Sequence, residues 1–404
     1  MSAARIPTLD IVRGVAVLGI LLLNIVDFAM PQAAYTNPRA YGGWHGADLA
    51  VWLVNFLLFD GKMRGLFSCL FGASMLLVIE RAEAEGRSAA RTHFARMLWL
   101  LAFGYLHLLL IWRGDILALY ALVGMIAWAC RRMEPERLLA LGIALVLVSA
   151  FAAAATPYGI AEALADPGPR AAPALAEWNR YLGTPTPAAI AQELALYRGT
   201  YPAILADRLT DWDIPIRLLA NAGAETLAYM CFGMAALRSG FASGEWVRGA
   251  YRRGLKLGFG IGLPLTAAMA AWLIAAQFAL LPVAIVVLLL EALVRPLMIF
   301  GWACLILLLA RPGGALTLRL AAAGRMAFTN YLATSVICTT LFYGYGLGWF
   351  GHLSRAQLYL VVPLVWTAIL LWSKPWLARF RYGPLEWLWR SLARARLQPI
   401  RGAA

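Results

Sequence analysis

The chain carries a succession of apolar runs, most of them close to twenty residues long, and this constrains its fold more than any other feature. A helix needs about 20 apolar residues to cross the hydrocarbon core of a bilayer. Within that core, backbone N–H and C=O groups must be paired inside the protein, which a helix achieves alone. With 62% hydrophobic and 14% charged residues over 404 positions, the sequence reads as an all-α polytopic membrane protein. About ten transmembrane helices are predicted: 9–29, 63–81, 97–112, 115–130, 138–156, 214–237, 257–278, 284–310, 322–346 and 357–373. Residues 48–59 are apolar but short, and fit an interfacial or re-entrant helix. The first apolar run begins near Leu9 and leads into no small-residue cleavage site, so it is expected to stay as the first span.

Arginine and lysine set the orientation. Segments 80–96, 131–137, 238–256, 311–319 and 374–404 hold 4, 3, 5, 2 and 7 basic residues and fall on one side. The opposite loop, 158–213, has four arginines against seven acidic residues. Both termini are therefore expected to be cytoplasmic. The organisation that follows is an N-terminal bundle of five spans (1–157), an extracytoplasmic loop (158–213), a C-terminal bundle of five spans (214–373) and a basic amphipathic tail (374–404). The loop holds Trp178, Tyr181, Tyr197 and Tyr201; capping an external cavity and serving as a plain structured connection both remain open for it. Trp376, Trp387 and Trp389 in the tail suit an inner-surface helix.

The net charge of +14 lies mostly on the face that meets anionic lipid, so membrane lipids rather than nucleic acid are the expected partners. Lysine occurs only at 62, 256 and 374; this arginine bias, with abundant alanine, points to a GC-rich bacterial genome and an inner-membrane location. The five cysteines lie in or beside spans without metal-ligand spacing. Phosphate-loop and dinucleotide glycine patterns are absent, and neither a metal nor a redox cofactor is expected. A homo-oligomer is left open.

Charged groups inside spans need a partner or a task. Residues 104–120 are apolar, yet hold His107, Arg113 and Asp115 within nine positions. His107, near the outer end of the third span, and Asp115, after a tight turn, could meet at the outer membrane surface. Histidine can exchange a proton near neutral pH with a carboxylate orienting it; a helix–helix hydrogen bond and a helix N-terminal charge are the equal alternatives. His45 and Asp48 are expected on the same outer side. His93 and His352 read as ordinary surface residues. Asp60, Lys62 and Arg64 either anchor a helix end or line an outer vestibule with Arg113 and Asp48. Glu225 lies deeper and is grouped with that vestibule, while Glu291 and Arg295, spaced i,i+4, are read as neutralising each other.

On the inner side, Asp10 and Arg13 share a helical face, as an ion pair or as part of a cationic site for a phosphate-bearing donor. Asn24 points from near that face into the span. Arg325, with Asn330 and Tyr331, is expected at the depth of Arg13, so that the two arginines flank an anionic ligand.

These segments also carry a family resemblance. Leu9-Asp-Ile-Val-Arg-Gly14 with Asn24, Lys62-Met-Arg-Gly-Leu-Phe-Ser-Cys-Leu-Phe-Gly72, and His107…Gly114-Asp-Ile-Leu…Tyr120 resemble the YeiB-type membrane proteins. Gly324-Arg-Met-Ala-Phe-Thr-Asn-Tyr331 and Tyr382-Gly-Pro-Leu-Glu-Trp-Leu-Trp-Arg390 resemble that family's C-terminal domain of unknown function. The family in turn resembles a broader membrane acyltransferase superfamily, with the acyltransferase-3 family and heparan-glucosaminide N-acetyltransferase. This implies an acyltransferase-3-like bundle that passes an acyl group from cytoplasmic acyl-CoA to a hydroxyl or amine on a small-molecule, lipid or glycan acceptor.

By that resemblance Arg13 belongs to the donor side. The acyltransferase-3 pattern has a histidine where this chain has Asn24, and an amide cannot serve as a base. His107 with Asp115 is then the first candidate base and His45 with Asp48 the second. Trp44-His-Gly-Ala-Asp-Leu49 is loosely similar to the loop after the first span of the heparan enzyme. The alternative function is a transporter or exporter of a lipid or small metabolite, with Glu225 or the His107–Asp115 pair coupling protons.

Overall fold

A computed structural model describes residues 6–166 and 168–401. Among these residues the regular structure is helical, apart from one isolated bridge between Phe380 and Arg401. Helix α1 (Pro7–Ala29) starts on a proline, whose fixed φ suits the first turn and whose missing N–H needs no partner there. After the short α2 (Ala33–Thr36), α3 (Gly46–Leu58) and α4 (Lys62–Ala84) form one apolar stretch broken at Gly61. Gly61 has φ +65°, and the Arg295 side chain lies where a Cβ would sit. Helix α5 (Ala89–Leu110) is capped by Ser88, whose hydroxyl accepts the Arg91 N–H. A turn leads to α6 (Leu117–Ala127), and α7 (Pro135–Ala153) runs on into α8 (Ala155–Ala165).

Three helices, α9 (Ala171–Tyr181), α10 (Pro187–Tyr197) and α11 (Tyr201–Thr210), make up the cap. The second half comprises α12 (Ile214–Arg238), α13 (Arg248–Ala275), α14 (Leu280–Ala284) with a π-helical turn at Ile285–Leu290, and α15 (Glu291–Leu309). It continues with α16 (Ala315–Arg325), α17 (Ala327–Phe342), α18 (Arg355–Arg379) and α19 (Pro384–Ala393).

Seven helical stretches are long and apolar enough to cross a membrane, among them Pro7–Ala29, Gly46–Ala84 and Leu280–Leu309. Leu117–Cys130 and Ala327–Phe342 are apolar but shorter. The span expected over 322–346 is interrupted at Met326, where α16 ends and α17 begins. Beside this break α1 packs along α16 at backbone contact. A Cβ on Gly14 would sit 2.0 Å from the Leu320 carbonyl oxygen, and one on Gly324 would sit 1.9 Å from that of Asp10. The two glycines let the helices touch, which sets Arg13 and Arg325, their chain neighbours, on either side of the contact.

α1 also packs against α4, α17 and α18, placing it in the middle of the bundle. At one face the chain ends gather: Thr8 Oγ1 donates to the Ala242 carbonyl, and Trp389 Nε1 to that of Arg96. The cap closes the opposite face. There the Glu193 carboxylate accepts the Gln32 N–H at 2.8 Å, Arg113 pairs with Asp207 and Asp211, and the Gly344 N–H meets the Tyr197 carbonyl.

His93 departs from the surface position expected for it. Helix α5 already begins at Ala89, so His93 sits one turn inside it and is buried, stacked on Trp128 with a ring nitrogen 3.0 Å from the Gly124 carbonyl oxygen. His352 is exposed.

Candidate functional site

A cavity of about 610 Å³ opens between α1, α4, α5, α16 and the tail helix α19 on the terminal face. Six arginines line it: Arg13, Arg81, Arg96, Arg325, Arg381 and Arg390, against the carboxylates Asp10 and Glu386. The lining is thus strongly cationic and suits a ligand with several negative charges. Arg13 donates to Ser74 Oγ at 2.5 Å and pairs with Asp10 at 3.2 Å, which fixes its planar fork at the wall. Arg325 donates to the Arg381 carbonyl, and Arg96 lies 4.0 Å over the Trp389 ring. Glu386 ties α19 down by accepting the Phe328 and Thr329 N–H groups and the Thr329 hydroxyl. Its burial raises the carboxyl above the ordinary range, while those donors pull the other way.

The inner walls are apolar and aromatic, from Phe67, Phe71, Met97, Leu100 and Leu117 to Tyr120 and Tyr331. The ring of Tyr331 is 5.3 Å from that of His107. His107 and Asp115 are both fully buried and meet at 2.7 Å through Nδ1 and Oδ2. Asp115 Oδ1 also accepts the Ala118 N–H, which locks the carboxylate. A carboxylate only accepts, so it selects the tautomer with the proton on Nδ1 and leaves the Nε2 lone pair available. Nε2 is buried and has no hydrogen-bond partner among the described residues. The pair is buried, with Trp112 and Tyr331 packed over the ring.

Asn24 and Tyr331 line a small cleft with Thr334 and Ser335, on the other flank of Tyr331. Asn330 is buried and structural in its contacts: it bonds the Ala323 carbonyl and Ser373, and accepts from Trp372. His45 is exposed at the N-terminus of α3 and lies against Trp44 at a tilt, while Asp48 accepts the Ala356 N–H. Among the described residues, no hydrogen bond or ion pair joins His45 or Asp48 to His107 or Asp115.

Lys62, Arg64 and Glu225 do come together, as a buried network. Lys62 meets Glu291 at 2.8 Å, Glu291 meets Arg295 at 3.0 Å, Arg295 also bonds Glu225, and Glu225 meets Arg64 at 2.9 Å. Tyr229 donates to Glu225, and Lys62 to the Phe56 carbonyl. Each carboxylate bridges two cations, the arrangement that makes buried charge tolerable in a low-dielectric interior. Lys62 is completely buried, so it is a pillar between α3, α4 and α15, not a vestibule residue. Arg113 is part of the cap attachment already described.

Several site residues escaped the sequence reading. Arg81, Arg96 and Arg381 register there only as basic residues on one side, and Arg390 only as the end of a family segment, because their convergence joins α4, α5 and the tail. Ser74 has no motif of its own, and Glu386 lies in the Tyr382–Arg390 segment without a role that the sequence would assign.

Residues 236–396 match the family described as "Protein of unknown function (DUF418)". The chain is 36% identical over 393 residues to YeiB of Escherichia coli, an uncharacterized protein, covering 95% of both chains. It is 30% identical over 419 residues to YxaH of Bacillus subtilis, also uncharacterized, covering 99% of this chain and 97% of that one. An uncharacterized 39.9 kDa protein of Bacillus acidopullulyticus is 26% identical over 404 residues, covering 98% and 96%. No solved structure matches the chain significantly.

Proposed function

For this chain, which belongs to the YeiB-type family, we propose transmembrane acyl transfer from acyl-CoA to a hydroxyl or amine acceptor. One observation carries the reading: a cavity walled by six arginines at its mouth reaches Tyr331, whose ring packs against a buried His107–Asp115 pair. The arginines suit the phosphates of a coenzyme A thioester, and the apolar inner walls suit its extended arm and acyl group. Arg96 and His107 lie eleven residues apart on α5, about 16 Å of axial rise, so the donor must be long. The reading takes the basic terminal face as cytoplasmic, in a bacterial inner membrane.

In the reaction His107 Nε2 takes the proton as the acceptor oxygen or nitrogen attacks the thioester carbonyl carbon. The C–S bond then breaks, and the departing thiolate receives that proton from the imidazolium, which Asp115 steadies. The acceptor arrives at the outer face, beneath the 158–213 helices.

The test is titration of purified protein with acetyl- and longer-chain acyl-CoA, followed by free-thiol release with and without added acceptor. Saturable binding with thiol release that stops in His107→Ala supports acyl transfer. A folded wild type that binds no acyl-CoA of any chain length leaves export of a lipid or small metabolite as the better reading.

A further inference from the structure

Arg208 lies on α11 of the cap, 1% exposed, and Nε, Nη1 and Nη2 all lack a hydrogen-bond partner among the described residues. Its guanidinium stands 5.6 Å from the centroid of Tyr343, which covers one face of the cation and leaves its N–H edges unmatched. The carboxylates nearest in sequence are already engaged, Asp207 and Asp211 by Arg113 and Asp211 also by Arg217. Asp27 shares the neighbourhood of Tyr197 and Tyr343 with Arg208, yet makes no ion pair with it. A buried cation with every donor idle is costly unless an anion joins it.

We propose that Arg208 anchors an oxyanion site beneath the cap, between α11 and Tyr343. The guanidinium fork presents paired N–H groups, the geometry that grips two oxygens of a phosphate or carboxylate. The anion comes either free from solution or as a lipid headgroup at the cap face. The site is separate from the arginine cavity and holds whether or not that cavity binds acyl-CoA.

The experiment is thermal unfolding of the full chain in an uncharged detergent, in phosphate against chloride at equal ionic strength and pH. A site occupied well above its Kd raises the wild-type midpoint by about 2–4 °C. Arg208→Met, of similar size but uncharged, loses that rise, and Arg13→Ala keeps it, which separates this site from the cavity. Arg208→Lys retains part of it and serves if the methionine variant does not fold. Micelles doped with phosphatidylglycerol, free of inorganic phosphate, separate a headgroup from a free anion. Equal responses in wild type and Arg208→Met, or no wild-type response to either probe, overturn the proposal.

Discussion

The ring of Tyr331 lies 5.3 Å from the ring of His107, and the same tyrosine forms the inner wall of the arginine cavity. The Asp115-paired imidazole thus stands one side chain from the arginine-lined cavity. Under the acyl-transfer reading, His107→Gln lowers turnover about 10²–10⁴-fold while acyl-CoA affinity stays within a few fold. Asp115→Asn, which disturbs the tautomer but not the packing, lowers it in the same direction. Thiol release measured beside equilibrium binding checks this, and loss of affinity with unchanged turnover would sink the assignment.

Arg13 and Arg325 flank the contact between α1 and α16. Under the same acyl-transfer reading, replacing either with alanine removes charge-assisted hydrogen bonds of about 1.5–3 kcal/mol, a loss of about 10- to 150-fold in acyl-CoA affinity. The wild-type affinity also falls as salt is raised. Isothermal titration at two ionic strengths measures both; salt-independent binding in all three proteins contradicts an anionic ligand at the arginines.

Gly324 touches the Asp10 backbone with no space for a side chain. Gly324→Ala forces α16 off α1 and costs about 1–3 kcal/mol of stability. It also parts Arg13 from Arg325, so donor affinity falls with it. An unchanged unfolding midpoint would show that the helices separate without cost.

Glu225 holds Arg295 and Arg64 together. Glu225→Ala takes a carboxylate from both the buried Arg295 and the half-buried Arg64 and destabilises the protein by about 3–5 kcal/mol. Denaturant titration in mixed micelles reads the change, and a cost under about 1 kcal/mol would mean that water reaches the network.

In the cap, burial pushes the Glu193 carboxyl up from 4.5 to about 6, with Asp27 adding to the rise and the Gln32 N–H, Arg113 and Arg180 opposing it. A carboxyl whose folded pKa exceeds its unfolded value favours the folded cap below about 4.5, and that contribution is lost as pH rises through about 6. Cap docking therefore weakens as pH rises from about 4.5 through about 6. Hydrogen exchange of residues 187–210, corrected for intrinsic rates, is expected to show falling protection over that window in wild type and a flat profile in Glu193→Gln. The same slope in both proteins would assign the effect to another group.

The sequence by itself determined the helical membrane character, the basic face, the pairing of Glu291 with Arg295 and the contact of His107 with Asp115. All of these depend on apolar runs or on residues a turn or a short loop apart, where helix geometry fixes who meets whom. It also required that Glu225 have a partner, since a lone charge is too costly in a bilayer, but could not say which, and it left Lys62 as a helix-end anchor or a vestibule residue. Tertiary structure decided that Lys62 reaches Glu291 across 229 positions and that Glu225 reaches Arg64 across 161. It decided as well that arginines from α1, α4, α5, α16 and the tail face one cavity, and that Met326 breaks the span expected over 322–346. The reason is physical: local periodicity sets which face of a helix is apolar, whereas its neighbours follow from how all the helices pack at once, down to the two glycines that admit α16 against α1.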